Sequence, residues 1–430
     1  MGGNARDEDS GWVSLGVGAK ELRLENTLPT GQSFRWRETT EGDYVGVIGE
    51  RVVSMRQAPD DVLYRVHCRP SSSSASADAA AIADYFNLEV NLTALSAQWA
   101  EADERFRRLE PFLPGCRMLR QDPAECLFSF ICSSNNHISR IHGMVERLCA
   151  EYGTLLEPDH RLLSVRKVTP PKKTPTPKKQ KQKSSEAGLT DENDKEREET
   201  GVSRVATSPP AASAPPATPT NLSSLETLGE PLGSFYAFPT TTQLLGATEE
   251  RLRGLGFGYR AKFIAGAAAA LAAKEDGADA FLRTLREKTP YREAQAALTS
   301  LPGVGPKVAA CACLFSLDKH AAVPVDTHVW QLAVEHYTPE LEGKSLTPKL
   351  MEKVEDAICG VFGEYAGWAH NTLFVAELAH VRASLPEELR TPPRAKVVKK
   401  EKREAGSGAK AESKPESDAE SSPVAKKRKE

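Results

Sequence analysis

The sequence predicts an α+β fold: an N-terminal antiparallel β-sheet domain followed by an α-helical body that carries a helix-hairpin-helix. Three observations predict it. Residues 12–68 alternate apolar and polar side chains in short runs, SFRWRE, DYVGVIG, RVVSMRQ and VLYRVHC, broken by Gly, Asp and Pro, which is the period of half-buried strands. From about residue 81 the period turns helical, as in ICSSNNHISRIHGMVERLCAEYG, and after one interruption it returns and continues to about 385. Within that second stretch two apolar helical stripes meet at PGVG, residues 302–305.

In chain order, the polar MGGNARDEDS (1–10) is expected to be a flexible N-terminus, and 11–115 a β-rich domain with a Ser/Ala-rich loop at 70–80. The helical body occupies 116–165 and 221–390. Between these pieces, RKVTPPKKTPTPKKQKQK, DENDKEREE and SPPAASAPPATP lack any packable pattern, so 166–220 reads as a disordered insertion. Its Thr-Pro and Ser-Pro pairs suit phosphorylation or a plain solvated spacer. Residues 391–430 are rich in Lys, Glu and Ser, end in KKRKE, and read as a disordered basic tail.

Composition bounds the rest. A chain of 430 residues, 40% hydrophobic and with five tryptophans, can bury a sizeable core. No uninterrupted apolar run of about eighteen residues occurs, and the N-terminus has neither a secretion-signal core nor an Arg-rich transit face, so no membrane association is expected. The eight cysteines are dispersed through apolar helical context, which fits reduced thiols in a reducing compartment. A net charge of −3 exerts no global pull on nucleic acid. Any DNA contact must therefore rest on a local patch or on backbone geometry.

The hairpin is where chemistry enters. In REAQAALTSLPGVGPKVAACACLFSL, Ala294, Ala297, Leu298 and Leu301 form one stripe and Val308, Cys311, Ala312 and Phe315 the next. Gly303 and Gly305 are expected to permit backbone angles or close approaches that a Cβ would hinder, and Pro306 suits the first position of the second helix. The free N–H groups and positive dipole end of that helix can receive a phosphate, although a plain packing corner uses the same turn. Lys307 is electrostatically out of place there, because the dipole opposes a cation and favours the uncharged, nucleophilic amine. Nineteen residues on, Asp326 in AAVPVDTHVWQLA precedes a helical pattern and caps it. Held rigidly in that cap, a carboxylate can also stabilise positive charge on a sugar whose glycosidic bond is breaking, or manage the lysine's proton.

LPGVGPK followed by VPVDTH resembles the helix-hairpin-helix DNA glycosylase superfamily. Five ordered blocks carry the likeness further: GQSFRWRE (31–38), RQDPAECLFSFICSSNNHISRIHGMVERLC (120–149), GFGYRAKFI (256–264), VPVDTH (323–328) and YAGWAHNTLF (365–374) are similar to the eukaryotic 8-oxoguanine DNA glycosylase family. The resemblance implies a helix-hairpin-helix glycosylase body that removes 8-oxoguanine opposite cytosine from damaged double-stranded DNA. It also implies lyase activity: Lys307 would attack C1′ and form an imine, with Asp326 as its catalytic partner. Gly31 would accept a hydrogen bond from the N7–H that guanine lacks, while Cys311 and Phe374 would sandwich the flipped base. Asn135, Arg140 and Arg260 would contact the orphaned cytosine, Tyr259 would wedge into the stack, and His328 would lie near a phosphate, as would the Gly303 and Gly305 turn. Read without the resemblance, Cys311 and Phe374 are core residues, Arg140 and Arg260 surface charges, and His328 a first-turn residue facing water.

Two positions depart from the family pattern. His370 stands where the family usually has a glutamine reading the Watson–Crick edge, so base selectivity is expected to change or to become pH-sensitive. His137 replaces a family asparagine. Relatives that carry an iron–sulfur cluster place four cysteines downstream, whereas here only Cys359 follows Asp326. No cofactor, no metal and no iron–sulfur cluster are therefore expected, and the protein is expected to be a monomer. PPRAKVVKKEKR (392–403) and KKRK (426–429) read as an address for a nuclear import receptor, or as a basic arm that adds non-specific DNA affinity. Localisation to the nucleus is expected, and a mitochondrial pool is compatible with the sequence.

Overall fold

The computed structural model describes residues 6–7, 11–158 and 234–391. The expected insertion at 166–220 and the tail beyond Thr391 lie outside them. Six strands, β1 (Arg6–Asp7), β2 (Trp12–Ser14), β3 (Arg37–Glu38), β4 (Tyr44–Ile48), β5 (Arg51–Gln57) and β6 (Val62–Cys68), form a sheet in the order β1-β2-β6-β5-β4-β3. All neighbours are antiparallel. Side chains alternate as in strands, but β4 and β5 are buried on both faces, so they alternate between two cores and not between core and solvent. Val53, Met55, Val62 and Tyr64 join a core with Leu22, Leu24, Ile82 and Phe86, and Val45, Val47 and Val52 join a second core with Leu156 and Phe235.

The structure differs from the sequence reading at three places in this region. Arg6 and Asp7, expected to be flexible, pair with Val13 and Trp12 and extend the sheet by one short strand. Of SFRWRE only Arg37–Glu38 is strand. Trp36 is buried instead, its ring so close to Gly46 that an added Cβ there would fall 2.5 Å from it, so this run packs against the sheet rather than extending it. Helix α1 (Ala75–Tyr85) begins inside the expected loop because Ser74 caps it, accepting the Ala77 N–H at 3.3 Å ahead of an alanine-rich turn. With α2 (Leu92–Ala102) and α3 (Glu104–Leu109) it makes part of the stretch expected to be β-rich helical.

The helical body follows as α4 (Pro123–Ile131), α5 (Ile138–Tyr152), α6 (Thr241–Leu244), α7 (Glu249–Gly254), α8 (Arg260–Ala272), α9 (Gly277–Glu287), α10 (Tyr291–Thr299), α11 (Pro306–Ser316), α12 (Thr327–His336), α13 (Pro348–Phe362), α14 (Ala366–Glu377) and α15 (Ala379–Ser384). Asp122 caps α4 by accepting the Glu125 N–H at 2.9 Å, with Pro123 at the first helical position. Leu127, Phe128 and Ile131 of α4 are wholly buried in one core with Val308, Ala312 and Leu314 of α11, each large side chain contributing roughly 1.5–3 kcal/mol. A two-stranded ladder, β7 (Leu155–Leu156) with β8 (Phe235–Tyr236), brings the chain back beside itself across the sequence interruption. Among the described residues no helix is long and apolar enough to cross a membrane.

Candidate active site

The two stripes read from the sequence are α10 and α11, and the turn between them sits on α8. Gly303 takes φ +77°, and a Cβ there would lie 2.3 Å from the Phe263 Cβ. Gly266 in turn leaves room for the Pro302 ring, which an added Cβ would meet at 3.1 Å. Gly305 departs from expectation. Its φ is −90° and an added Cβ would meet nothing within 4 Å, so neither backbone angle nor crowding within the chain requires glycine there. Helix α11 starts with no side-chain cap, leaving its first N–H groups for an acceptor from outside the helix.

Lys307 lies in the first turn of α11 with its Nζ 5.1 Å above the Phe130 ring, a cation–π contact. Phe130 stacks on Phe315 at 5.3 Å and meets Phe34 edge-on at 5.6 Å, so the ring beneath the amine is held in place by two others. One helical turn on, Cys311 lies close enough to Lys307 to feel its charge; burial pushes its thiol up to about 11 although the Lys307 charge acts the other way. Asp326 is close enough to act electrostatically on both Cys311 and His370, which places these groups around one site. Asp326 does cap α12: one oxygen accepts the His328 and Val329 N–H groups at 2.9 Å each, and the other has no hydrogen bond among the described residues. His328 itself is exposed.

His370 projects from α14, 5% exposed, with neither ring nitrogen hydrogen-bonded among the described residues. Burial pushes its imidazole down to about 4, against the pull of Asp326, so the ring is neutral. It lies 6.4 Å from the Phe374 ring at an interplanar angle of 29°. Gly31 ends a 3-10 turn in the left-handed region, φ +89°, and the Ile138 side chain leans to 3.1 Å from where a Cβ would stand.

A second cluster forms around residues 133–140. Asn135 holds φ +47°, and both its side chain and that of Arg140 are exposed. The Tyr259 hydroxyl donates to the Ser134 carbonyl at 2.8 Å. The Arg260 guanidinium donates to the same carbonyl and, at 3.0 Å, to that of Asn135, and it stacks on the Tyr259 ring at 4.5 Å. At 3% exposure Arg260 is no surface charge. His137 caps α5, its Nδ1 accepting the Arg140 N–H at 3.4 Å, the task an asparagine performs at an N-cap. Sequence reasoning missed Phe34, Phe130 and Ile138 as parts of the site. Their only signal was position inside the 31–38 and 120–149 blocks, since apolar residues there otherwise read as core. Among the described residues no group of three or more His, Cys, Asp or Glu could hold a metal ion.

The model of the 8-oxoguanine DNA glycosylase N-terminal domain matches residues 14–127. The chain is 40% identical over 370 residues to the N-glycosylase/DNA lyase OGG1 of Arabidopsis thaliana, spanning 85% of this chain and 80% of that one. It is 29% identical over 402 residues to the N-glycosylase/DNA lyase of Saccharomyces cerevisiae, 86% of this chain and 87% of the other. Its fold is that of the Clostridium acetobutylicum 8-oxoguanine glycosylase/lyase solved with double-stranded DNA containing cytosine opposite 8-oxoguanine, with a TM-score of 0.58 at 23% identity over 83% of this chain and 91% of that one. A hairpin lysine and a capping aspartate that both act on Cys311, in a chain this similar to N-glycosylase/DNA lyases over most of its length, lead to one conclusion: it belongs to the 8-oxoguanine DNA glycosylase family of bifunctional base-excision repair enzymes.

Proposed function

We propose that this enzyme excises 8-oxoguanine paired with cytosine from duplex DNA and then cleaves the strand through an imine on Lys307. The observation that carries the reading is the Lys307 amine, set over the Phe130 ring in a site shared with a carboxylate whose second oxygen has no hydrogen bond among the described residues. In the uncharged form, Nζ bonds to C1′ as the C1′–N9 bond breaks, and the base departs with the electron pair and takes up a proton. The nitrogen then gives up a proton as its lone pair forms the C1′=N bond and the C1′–O4′ bond breaks, opening the sugar ring with O4′ taking up a proton; removal of a C2′ proton from this protonated imine then breaks C3′–O3′ and expels the 3′ phosphate. Asp326 stabilises the positive charge that develops on the sugar.

The flipped base enters between Cys311 and Phe374. The Gly31 carbonyl accepts from N7–H of the lesion, and undamaged guanine leaves that acceptor unpaired. His370, neutral and with no hydrogen-bond partner among the described residues, offers the Watson–Crick edge one donor and one acceptor. Asn135, Arg140 and Arg260 face the widowed cytosine, Tyr259 fills the vacated stack, and Gly303, Gly305 and His328 lie along phosphates. Gly305 supports this reading, because the fold supplies no reason of its own for a glycine there. The reaction uses no metal or cofactor; the enzyme acts as a monomer, and its basic tail directs it to the nucleus.

Borohydride reduction during turnover tests the proposal. The wild type should become covalently linked to an 8-oxoguanine·cytosine duplex, with the sugar remnant mapped to Lys307 by mass spectrometry, and Lys307→Gln should give no adduct. A remnant on another amine, or a preference for a different lesion across a panel of duplexes, refutes it.

A further inference from the structure

The two groups assigned to the sugar sit on separate segments, and part of the space between those segments is empty. Lys307 opens α11, while Asp326 ends a stretch, 318–326, with no helix or strand. Pro306, Lys307 and Ala310 on one side and Val323 and Val325 on the other wall an open cavity of about 560 Å³. Close packing therefore does not by itself fix how far apart these segments lie.

One carboxylate ties the second of these segments to α10, the helix that leads into the first. Glu355 of α13 is 3% exposed and borders the same cavity. Its Oε1 accepts the Val323 N–H at 3.1 Å, three residues before Asp326, and also the Tyr291 hydroxyl. Its Oε2 accepts from Arg292 Nη1 at 2.5 Å, and Arg292 also reaches Asp356 at 3.0 Å. Tyr291 and Arg292 begin α10, the helix that leads into the hairpin and Lys307. A second tie from α13 reaches the same stretch, as the Cys359 thiol donates to the Ala321 carbonyl at 3.3 Å.

We infer that Glu355 is a positioning residue for the reaction: it joins the hairpin helix to the segment bearing Asp326 and so sets the approach of amine and carboxylate to C1′. The inference rests on the roles proposed above for Lys307 and Asp326. A charged acceptor shared by three donors from two segments is stiff, since charge-assisted bonds are short and strong. Losing one of them lets the segments shift across the cavity without unfolding either.

The test uses the full-length chain with Glu355→Gln and Arg292→Ala, measuring single-turnover excision of 8-oxoguanine, affinity for a duplex holding a tetrahydrofuran abasic analogue, and thermal unfolding. Misplacement of reacting groups by a fraction of an ångström predicts an excision rate about 10- to 100-fold lower for Glu355→Gln and about 3- to 10-fold lower for Arg292→Ala, with affinity changed less than about two-fold. Glu355→Gln excising within about two-fold of the wild type overturns the inference, as does an equal fall of rate and affinity in both variants, the mark of a generally loosened fold. If Glu355→Gln does not fold, Arg292→Ala decides alone, because its side chain is 48% exposed and can be removed without opening the core. A wild type that leaves 8-oxoguanine in place overturns the functional reading itself, and this inference with it.

Discussion

His370 is buried with a neutral ring, so acid should weaken the fold through it. The unfolded chain exposes an imidazole of ordinary affinity near 6.5, whereas burial holds the folded one down to about 4. Between those values the unfolded chain binds the proton and the folded chain does not. The contribution of His370 is therefore intact above about pH 6.5 and is lost progressively as pH falls through the folded value. The loss is about 1.4 kcal/mol at about pH 5.5 and about 2.5 kcal/mol at about pH 4.5. His370→Gln removes the titration while keeping a polar side chain of similar reach. Urea unfolding of both proteins, followed by tryptophan fluorescence at about pH 7.5 and about pH 5.5, should show the wild type losing about 1.4 kcal/mol more than the variant. Parallel losses, within about 0.3 kcal/mol, would mean that the imidazole is solvated or already protonated, and the argument from burial would be wrong.

The hairpin glycines should separate fold from function. Gly303→Ala forces a side chain into a left-handed backbone and against Phe263, and should cost about 2–4 kcal/mol in equilibrium unfolding. Gly305→Ala should change stability by less than about 1 kcal/mol yet weaken duplex binding, measured by fluorescence anisotropy; unchanged binding would remove the phosphate role of that turn. Arg260→Ala frees the Ser134 and Asn135 carbonyls and should cost about 2 kcal/mol, with faster amide hydrogen exchange confined to residues 133–137. Exchange that stays at the wild-type rate there would show that the loop holds itself.

The sequence by itself determined the elements whose signal is local. RVVSMRQ and VLYRVHC are strands over the stretches that their pattern marks, because apolar side chains along each must be buried. Two apolar stripes flanking Pro-Gly turn residues form two helices, and an aspartate ahead of a helical run caps it, because caps and turns are fixed by residues within a few positions of one another. Other features depend on contacts between distant residues. Trp36 packs instead of pairing because Gly46 leaves space for its ring, and Arg260 is buried because two carbonyls some 125 positions earlier accept its protons. The ring beneath Lys307 is held by two others from separate stretches of chain, and Glu355 became visible only when α10, α13 and the segment before Asp326 converged on it. Short-range hydrogen bonding and side-chain period can be read along a chain; which buried charge meets which donor is decided by how helices pack, and that is a property of the tertiary structure alone.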